Sequence, residues 1–261
     1  MFSYNTVHQG DCREVLKRFP TDSFDFVLTD PPYFVNYRDR SGRTVANDRD
    51  NLGILSAFDD VHRVLKPDSL CISFYGWGSV DAFFRAWRHA GFRVIGHIVW
   101  CKSYPSKVGV LRFRHEQAYV LAKGRPAQPR KLLDDVQPWQ YSGNRHHPTE
   151  KSVAILEPLI ESFSPPGGAI LDPFAGSGST LIAAALAGRR YCGVELEAQH
   201  CATIRERLVR IGSPGRSIPA LDELESAFEG YRRWLAARGC TLPASLLGPP
   251  AHTHAGAARG P

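Results

Sequence analysis

The sequence predicts an α/β fold with a doubly wound, mostly parallel sheet, and three observations carry that prediction. Apolar runs of strand length, closed by turn residues, alternate with segments of helical apolar spacing between Val7 and Ile211. One of these strands meets Asp30-Pro31-Pro32, and prolines donate no ladder hydrogen bond, so a central strand must stop there. A later strand runs into a turn of small residues, Asp172 to Thr180, and then into a helix, the arrangement at ligand-facing turns of open α/β sheets.

In chain order, Val7–Asp11 reads as a short strand, and Cys12–Phe19, with Val15, Leu16 and Phe19 apolar, as an amphipathic helix ended by Pro20. Phe24–Leu28 is a buried strand closing on Thr29, Asp30, Pro31, Pro32 and Tyr33. Residues 34–51 interleave Arg38, Arg40, Arg43 and Arg49 with Asp39, Asp48 and Asp50 around Ser41-Gly42. A mobile loop is expected there, either a solvated excursion or a lid. Leu52–Leu65 has helical spacing up to Lys66-Pro67, followed by a strand at Leu70–Tyr75, a helix at Trp77–His89, and strands at Phe92–Trp100 and Gln117–Leu121. Lys151–Phe163 is a helix that Pro158 must kink, unless that residue lies near its start. Ala169–Leu171 is a strand, Leu181–Leu186 a helix, Tyr191–Val194 a strand ended by Glu195, and Ala198–Ile211 a last crossover helix. The expected organisation is one domain over residues 1–211, a helical extension over 212–242 and a disordered tail over 243–261.

With 261 residues, 43% hydrophobic and 22% charged, the chain can bury a sizeable core. Six cysteines without a Cys-x-x-Cys pair suggest neither a zinc site nor a disulfide framework, so no structural metal is expected. The first ten residues lack a signal-peptide succession and no apolar run reaches membrane-spanning length, so a cytoplasmic protein is expected. The net charge of +6 favours a polyanionic partner. Between Lys102 and Lys151 ten basic residues face four acidic ones, an excess equal to that of the whole chain. Tyr104, Phe113, Trp139 and Tyr141 are interleaved with them, a mixture that suits phosphate neutralisation and base stacking, the alternative being a solvated basic surface. Lys102, Lys107, Arg112, Arg114, Arg125, Arg130 and Lys131 are the candidate nucleic-acid contacts.

Taken alone, Asp30 to Tyr33 could be an ordinary turn. The glycine loop is more telling. It lacks the Gly-Lys-Ser/Thr ending of a P-loop, and Leu181 occupies the place of the third glycine of a dinucleotide fingerprint. Glu195, at the end of the next strand, is placed to hold a ribose diol. A nucleoside ligand that is not a dinucleotide fits these features.

Asp30-Pro31-Pro32-Tyr33 upstream of Asp172-Pro173-Phe174-Ala175-Gly176-Ser177-Gly178 resembles the amino-group DNA methyltransferases that use S-adenosylmethionine, in particular the permuted class in which the catalytic tetrapeptide comes first. Gly10-Asp11 and His147-Pro148-Thr149-Glu150-Lys151 are similar to further stretches of that class, and the resemblance covers roughly Val7 to Val209. It implies a seven-stranded Rossmann-like methyltransferase sheet with an antiparallel terminal strand, double-stranded DNA as partner, and a target-recognition region at about 102–146. A homodimer is compatible with it. It implies Asp30, Pro31, Pro32 and Tyr33 as catalytic residues. Asp172, Phe174, Gly176 and Gly178 would line the cofactor, with Thr149, Lys151, Ser179 and Thr180 near its methionine end. Glu195 would hold the ribose and Asp11 the adenine amino group of the cofactor. The family more often has Gln and Pro where this chain has Glu150 and Ser152, so neither is taken as a contact. Within the family, Asp at the first tetrapeptide position leans towards adenine as the target; cytosine methylated at N4, RNA or protein glutamine as substrate, and a catalytically silent DNA-binding protein stay open.

Overall fold

The structure is a computed structural model in which residues 2–33, 52–129, 131–142 and 150–212 are described. They lie within one unit, Met1–Arg216. The expected loop at 34–51 and the extension and tail beyond 212 fall outside the described residues.

The chain begins with β1 (Thr6–Gln9) and α1 (Cys12–Val15), which tightens into a 3-10 turn at Leu16–Arg18. β2 (Phe24–Thr29) is followed by α2 (Ala57–Val64), β3 (Leu65–Phe74), α3 (Val80–His89) and β4 (Arg93–Cys101). A small hairpin, β5 (Lys107–Val108) and β6 (Arg112–Phe113), leads to β7 (His115–Lys123) and β8 (Val136–Pro138). The last stretch is α4 (Val153–Phe163), β9 (Ala169–Asp172), α5 (Ser179–Leu186), β10 (Arg190–Glu195) and α6 (Ala198–Gly212).

Among the described residues the main sheet has eight strands in the order β1-β10-β9-β2-β3-β7-β4-β8. The α/β, mostly parallel reading holds, with two differences. The short β8 makes an eighth strand, and the antiparallel strand, β7, is internal, hydrogen-bonded to β3 on one side and β4 on the other. Apolar patterning gives the existence of a strand but not its direction, which depends on where its partners lie.

Strand order reverses between β2 and β9, which pair through Phe26 with Ile170 and Val27 with Leu171. In open α/β sheets, ligands bind at such a switch point, beyond the carboxyl ends of the strands. Both faces are covered. On one, Val27 and Cys71 pack with Phe58, Phe83 and Trp87 of α2 and α3. On the other, Phe26, Leu28 and Ile72 pack with Leu156, Leu159 and Ile160 of α4 and Ala183 and Ala184 of α5. Burial on both faces is why these strands read as near-continuous apolar runs.

One proline sits differently from expectation. β3 begins before Pro67, because the register against β2 slips between Phe24 and Phe26 and residues 66–69 bulge out of the ladder with β2, with Asp68 at φ 53°. Pro158 lies inside α4, five residues after Val153. Its missing amide would have bonded the carbonyl of Ala154, so α4 gives up one internal hydrogen bond in its second turn.

Candidate active site

β2 stops at Thr29 and the chain turns through Asp30, Pro31 and Pro32 to Tyr33 at the switch point. The Tyr33 hydroxyl donates to Asp30 Oδ1 at 2.6 Å. Lys151 Nζ lies 2.6 Å from Asp30 Oδ2 and 3.3 Å from the Tyr33 hydroxyl, 4.8 Å from the Phe74 ring centroid and 5.4 Å from that of Tyr33. Its side chain is 7% exposed. Burial alone would lower the Lys151 pKa, but the charges of Asp30 and Glu116 and the bond to Asp30 outweigh it and raise the pKa, so the ammonium stays charged. Gly76 supports the turn from below, since a Cβ there would stand 2.7 Å from Tyr33 Cβ and 2.8 Å from its carbonyl oxygen.

β9 ends beside β2 at Asp172, whose Oδ1 accepts from the Thr29 hydroxyl at 3.1 Å and the Phe174 amide at 3.0 Å. Burial pushes its pKa up to about 7, against the opposing hydrogen bonds from Thr180, Phe174 and Thr29, and the nearby charge of Asp30 adds to the rise. Asp172 thus ties the end of β2 to the glycine loop. That loop needs left-handed backbone at Gly176 (φ 53°) and Gly178 (φ 86°), and a Cβ on Gly178 would meet Ile204 of α6 at 2.8 Å.

Glu195, closing β10, accepts from the Gly176 amide and the Glu197 amide, each at 2.8 Å. A carboxylate has about four acceptor sites, so acceptor capacity remains on Oε2 for a ribose hydroxyl. His200 Nδ1 is 3.6 Å from Glu195 Oε1, and the hydrogen bond to Glu195 raises the pKa of His200 against its burial. Asp11 caps α1 by accepting from the Arg13 amide at 2.9 Å, and the Arg13 guanidinium, 2.6 Å from Oδ2, holds its pKa below the usual carboxylate range.

One cavity is lined by Asp11, Asp30, Tyr33, Lys151, Phe174 and Glu195, together with the glycine loop. The structure therefore brings the tetrapeptide and most of the described residues expected at the cofactor into one cavity; Gly178 is not among its lining residues, and Thr149 lies outside the described residues. The Ser179 hydroxyl lines this cavity, is buried, and has no partner among the described residues. A buried hydroxyl left unpaired at a helix start is what a polar ligand group would satisfy.

Sequence reasoning missed Phe74, Gly76, His200 and the pair Glu150–Arg207. Glu150, set aside as a contact, is buried and paired with Arg207 at 3.0 Å, while Arg207 donates to the Ser177 carbonyl at 2.7 Å. Phe74 was findable as the last residue of a strand pointing at the switch point. Arg207 was not, because its partner lies across the fold.

The basic set divides. Lys102 leaves it: its ammonium is buried, ion-paired with Glu116 and 5.0 Å from the Trp139 ring centroid, so it is not presented to a phosphate. Arg125 and Lys131 sit on the opposite edge of the sheet from the site. Arg125 bonds Asp68 at the start of the β3 ladder, and the Lys131 carbonyl accepts from Ser162 at the far end of α4. Arg112 and Arg114 are exposed on the edge of the sheet that holds the cavity, and Arg114 holds the Lys102 carbonyl at 3.2 Å. The backbone of Lys107 is in the same hairpin, and Arg130 lies outside the described residues. No helix among the described residues is long and apolar enough to cross a membrane.

A family profile described as DNA methylase, N6_N4_Mtase, matches residues 24–206. The chain is 55% identical over 203 residues to YubD of Escherichia coli (strain K12), covering 78% of this chain and 89% of that protein. It is 27% identical to the type II methyltransferase M.HinfI of Haemophilus influenzae, over 79% of this chain and 69% of that one. The crystal structure of TTHA0409 from Thermus thermophilus, complexed with S-adenosyl-L-methionine, superposes with a TM-score of 0.60 at 27% identity, covering 81% of this chain and 97% of that one. The chain belongs to the N6_N4_Mtase family of DNA methylases.

Proposed function

We propose that this DNA methyltransferase moves a methyl group from S-adenosylmethionine to the exocyclic N6 of a flipped-out adenine in double-stranded DNA. The observation that carries the reading is the Asp30 carboxylate, held beside the Tyr33 ring in the same cavity as the glycine loop and Glu195. The cofactor fits this cavity. Glu195 would hold its ribose hydroxyls, Phe174, Gly176 and Gly178 would pack against it, Asp11 would hold its adenine amino group, and Ser179, Thr180, Lys151 and Thr149 would stand near its methionine end. When bound, it supplies an electrophilic sulfonium methyl.

An exocyclic amine on a heteroaromatic ring is a poor nucleophile because its lone pair is delocalised into the ring. Asp30 and the Pro31 carbonyl would accept its two hydrogens, favouring a pyramidal nitrogen with its lone pair directed at the methyl. Lys151 and Tyr33 take two of about four acceptor sites on the Asp30 carboxylate, which leaves sites for the amine. Pro31 and Pro32 fix the direction of the acceptors, and the Tyr33 ring offers a stacking face. Such preorganised contacts contribute a few kcal/mol each in a water-excluded site. The amine lies inside the duplex, so the base must be extruded, at a cost of a few kcal/mol.

Asp rather than Ser at position 30 favours adenine; the family description spans N6 and N4 chemistry, so N4 of cytosine is the competing target. Single-molecule sequencing of DNA from a methylation-free host expressing the chain reads base and site together. N6-methyladenine at one recurrent sequence is expected, and N4-methylcytosine alone would overturn the adenine assignment.

A further inference from the structure

We infer that the hairpin Lys107–Phe113 is a wedge for duplex DNA, with Val110 and Leu111 entering the base stack beside the extruded base. This rests on the DNA reading above and adds a role that none of the basic residues fills. The hairpin stands on the edge of the sheet that holds the cavity. It joins the end of β4 to the start of β7, where Cys101 pairs with His115, and its stem is fastened by the Lys102 amide to the Arg114 carbonyl and the Ser106 amide to the Phe113 carbonyl, each at 2.8 Å. The Phe113 ring stacks on Trp77, just beyond the end of β3, with centroids 5.6 Å apart and planes inclined by 13°.

The root is thus rigid, yet the tip is apolar and bare. Val108 and Leu111 are each 66% exposed and Val110 is fully exposed. Aliphatic side chains at a tip add nothing to the fold, and isolated in water they would serve solubility worse than polar ones. Their neighbours argue for the occupant: Arg112 and Arg114 are exposed on the same hairpin, so the apolar tip is framed by groups complementary to phosphates. Val110 stands two residues beyond Arg112, about 7 Å at about 3.3 Å per residue, and its own side chain adds to that reach. Either groove of B-DNA is about 7.5–8.5 Å deep. With Arg112 at the backbone, the tip can therefore reach the base pairs, where apolar wedges unstack a step.

The test compares wild type with the double variant V110S/L111S, using labelled S-adenosylmethionine and two duplex oligonucleotides carrying the mapped site. One is fully paired and the other is mispaired at the target base. Because both side chains are exposed, the unfolding midpoint of the variant should match that of the wild type. Transfer to the paired duplex should fall about tenfold or more, while transfer to the mispaired duplex, where extrusion is already easier, should stay near wild type. Unchanged transfer to the paired duplex, or an equal loss on both, would overturn the wedge. So would a wild-type dimer that the variant dissociates, which would make the tip a self-association surface. No transfer to any DNA by the wild type would overturn the DNA reading together with the wedge, whereas the other failures leave that reading standing.

Discussion

At the scale of single residues, charge at this site is arranged in pairs. Asp30 has Lys151 at 2.6 Å, Glu150 has Arg207 at 3.0 Å, and Asp11 has Arg13 at 2.6 Å. Asp172 has no such counter-ion among the described residues, and burial raises its pKa from 3.8 to about 7. The folded state therefore binds this proton more tightly than the unfolded state. The resulting stability is present below about pH 4 and is lost as pH rises to about 7. Asp172→Asn keeps an oxygen for Thr29 and Phe174 without the charge. Its unfolding midpoint should exceed that of the wild type by an amount that grows from about pH 4 to about 7 and then levels off; thermal scans across that range check it, and a gap that narrows with rising pH would contradict the burial argument. Lys151→Met leaves the Asp30 carboxylate without its ammonium, and methyl transfer should fall by roughly 10²-fold, read as kcat/KM. The carboxylates were legible because strand ends and spacing identify them. The partners were not: Lys102 looks like a phosphate contact in a basic run, and only its position against Glu116 and Trp139 makes it an internal ion pair.

At the scale of elements, the glycine loop carries the clearest demand on sequence. Gly178 combines φ 86° with a Cβ position 2.8 Å from Ile204, so Gly178→Ala should lower unfolding stability by about 1–3 kcal/mol and weaken cofactor binding with it. Chemical denaturation and calorimetry measure the two effects. Gly76→Ala acts at a distance from the cofactor: it must displace Tyr33, so methyl transfer should fall while the affinity for S-adenosylmethionine stays within about twofold of wild type. Strands and helices were mostly legible, because apolar runs and helical spacing follow burial directly. Proline position misled at β3, where a bulge accommodates what a simple rule forbids.

At the scale of the whole molecule, the topology explains both what the sequence reveals and what it hides. β2 and β9 are neighbours although Thr29 and Asp172 are far apart in sequence, and two motifs of suggestive spacing were enough to anticipate one site. The same folding separates residues that are close in sequence. Arg112 and Arg125 belong to one basic run, yet β7 carries the chain from the edge that holds the cavity to the opposite one between them. Net charge is therefore a fair guide to a polyanionic partner and a poor guide to which residues touch it. Saturating S-adenosylmethionine at about 100 times its Kd should stabilise the folded chain by about 2.7 kcal/mol, raising the unfolding midpoint by roughly 5–10 °C, and Glu195→Ala should abolish most of that rise.

In the proposed reaction Asp30 turns a duplex amine into the acceptor of the cofactor's methyl. Wild type and Asp30→Ala, each incubated with duplex DNA carrying the mapped site and methyl-labelled S-adenosylmethionine, should bind that DNA with similar affinity, and the DNA is then digested to nucleosides. Label in N6-methyl-2′-deoxyadenosine from the wild type, reduced by at least roughly 10²–10³-fold in the variant, is the expected result. Equal label from both proteins, or label in no nucleoside, would contradict it.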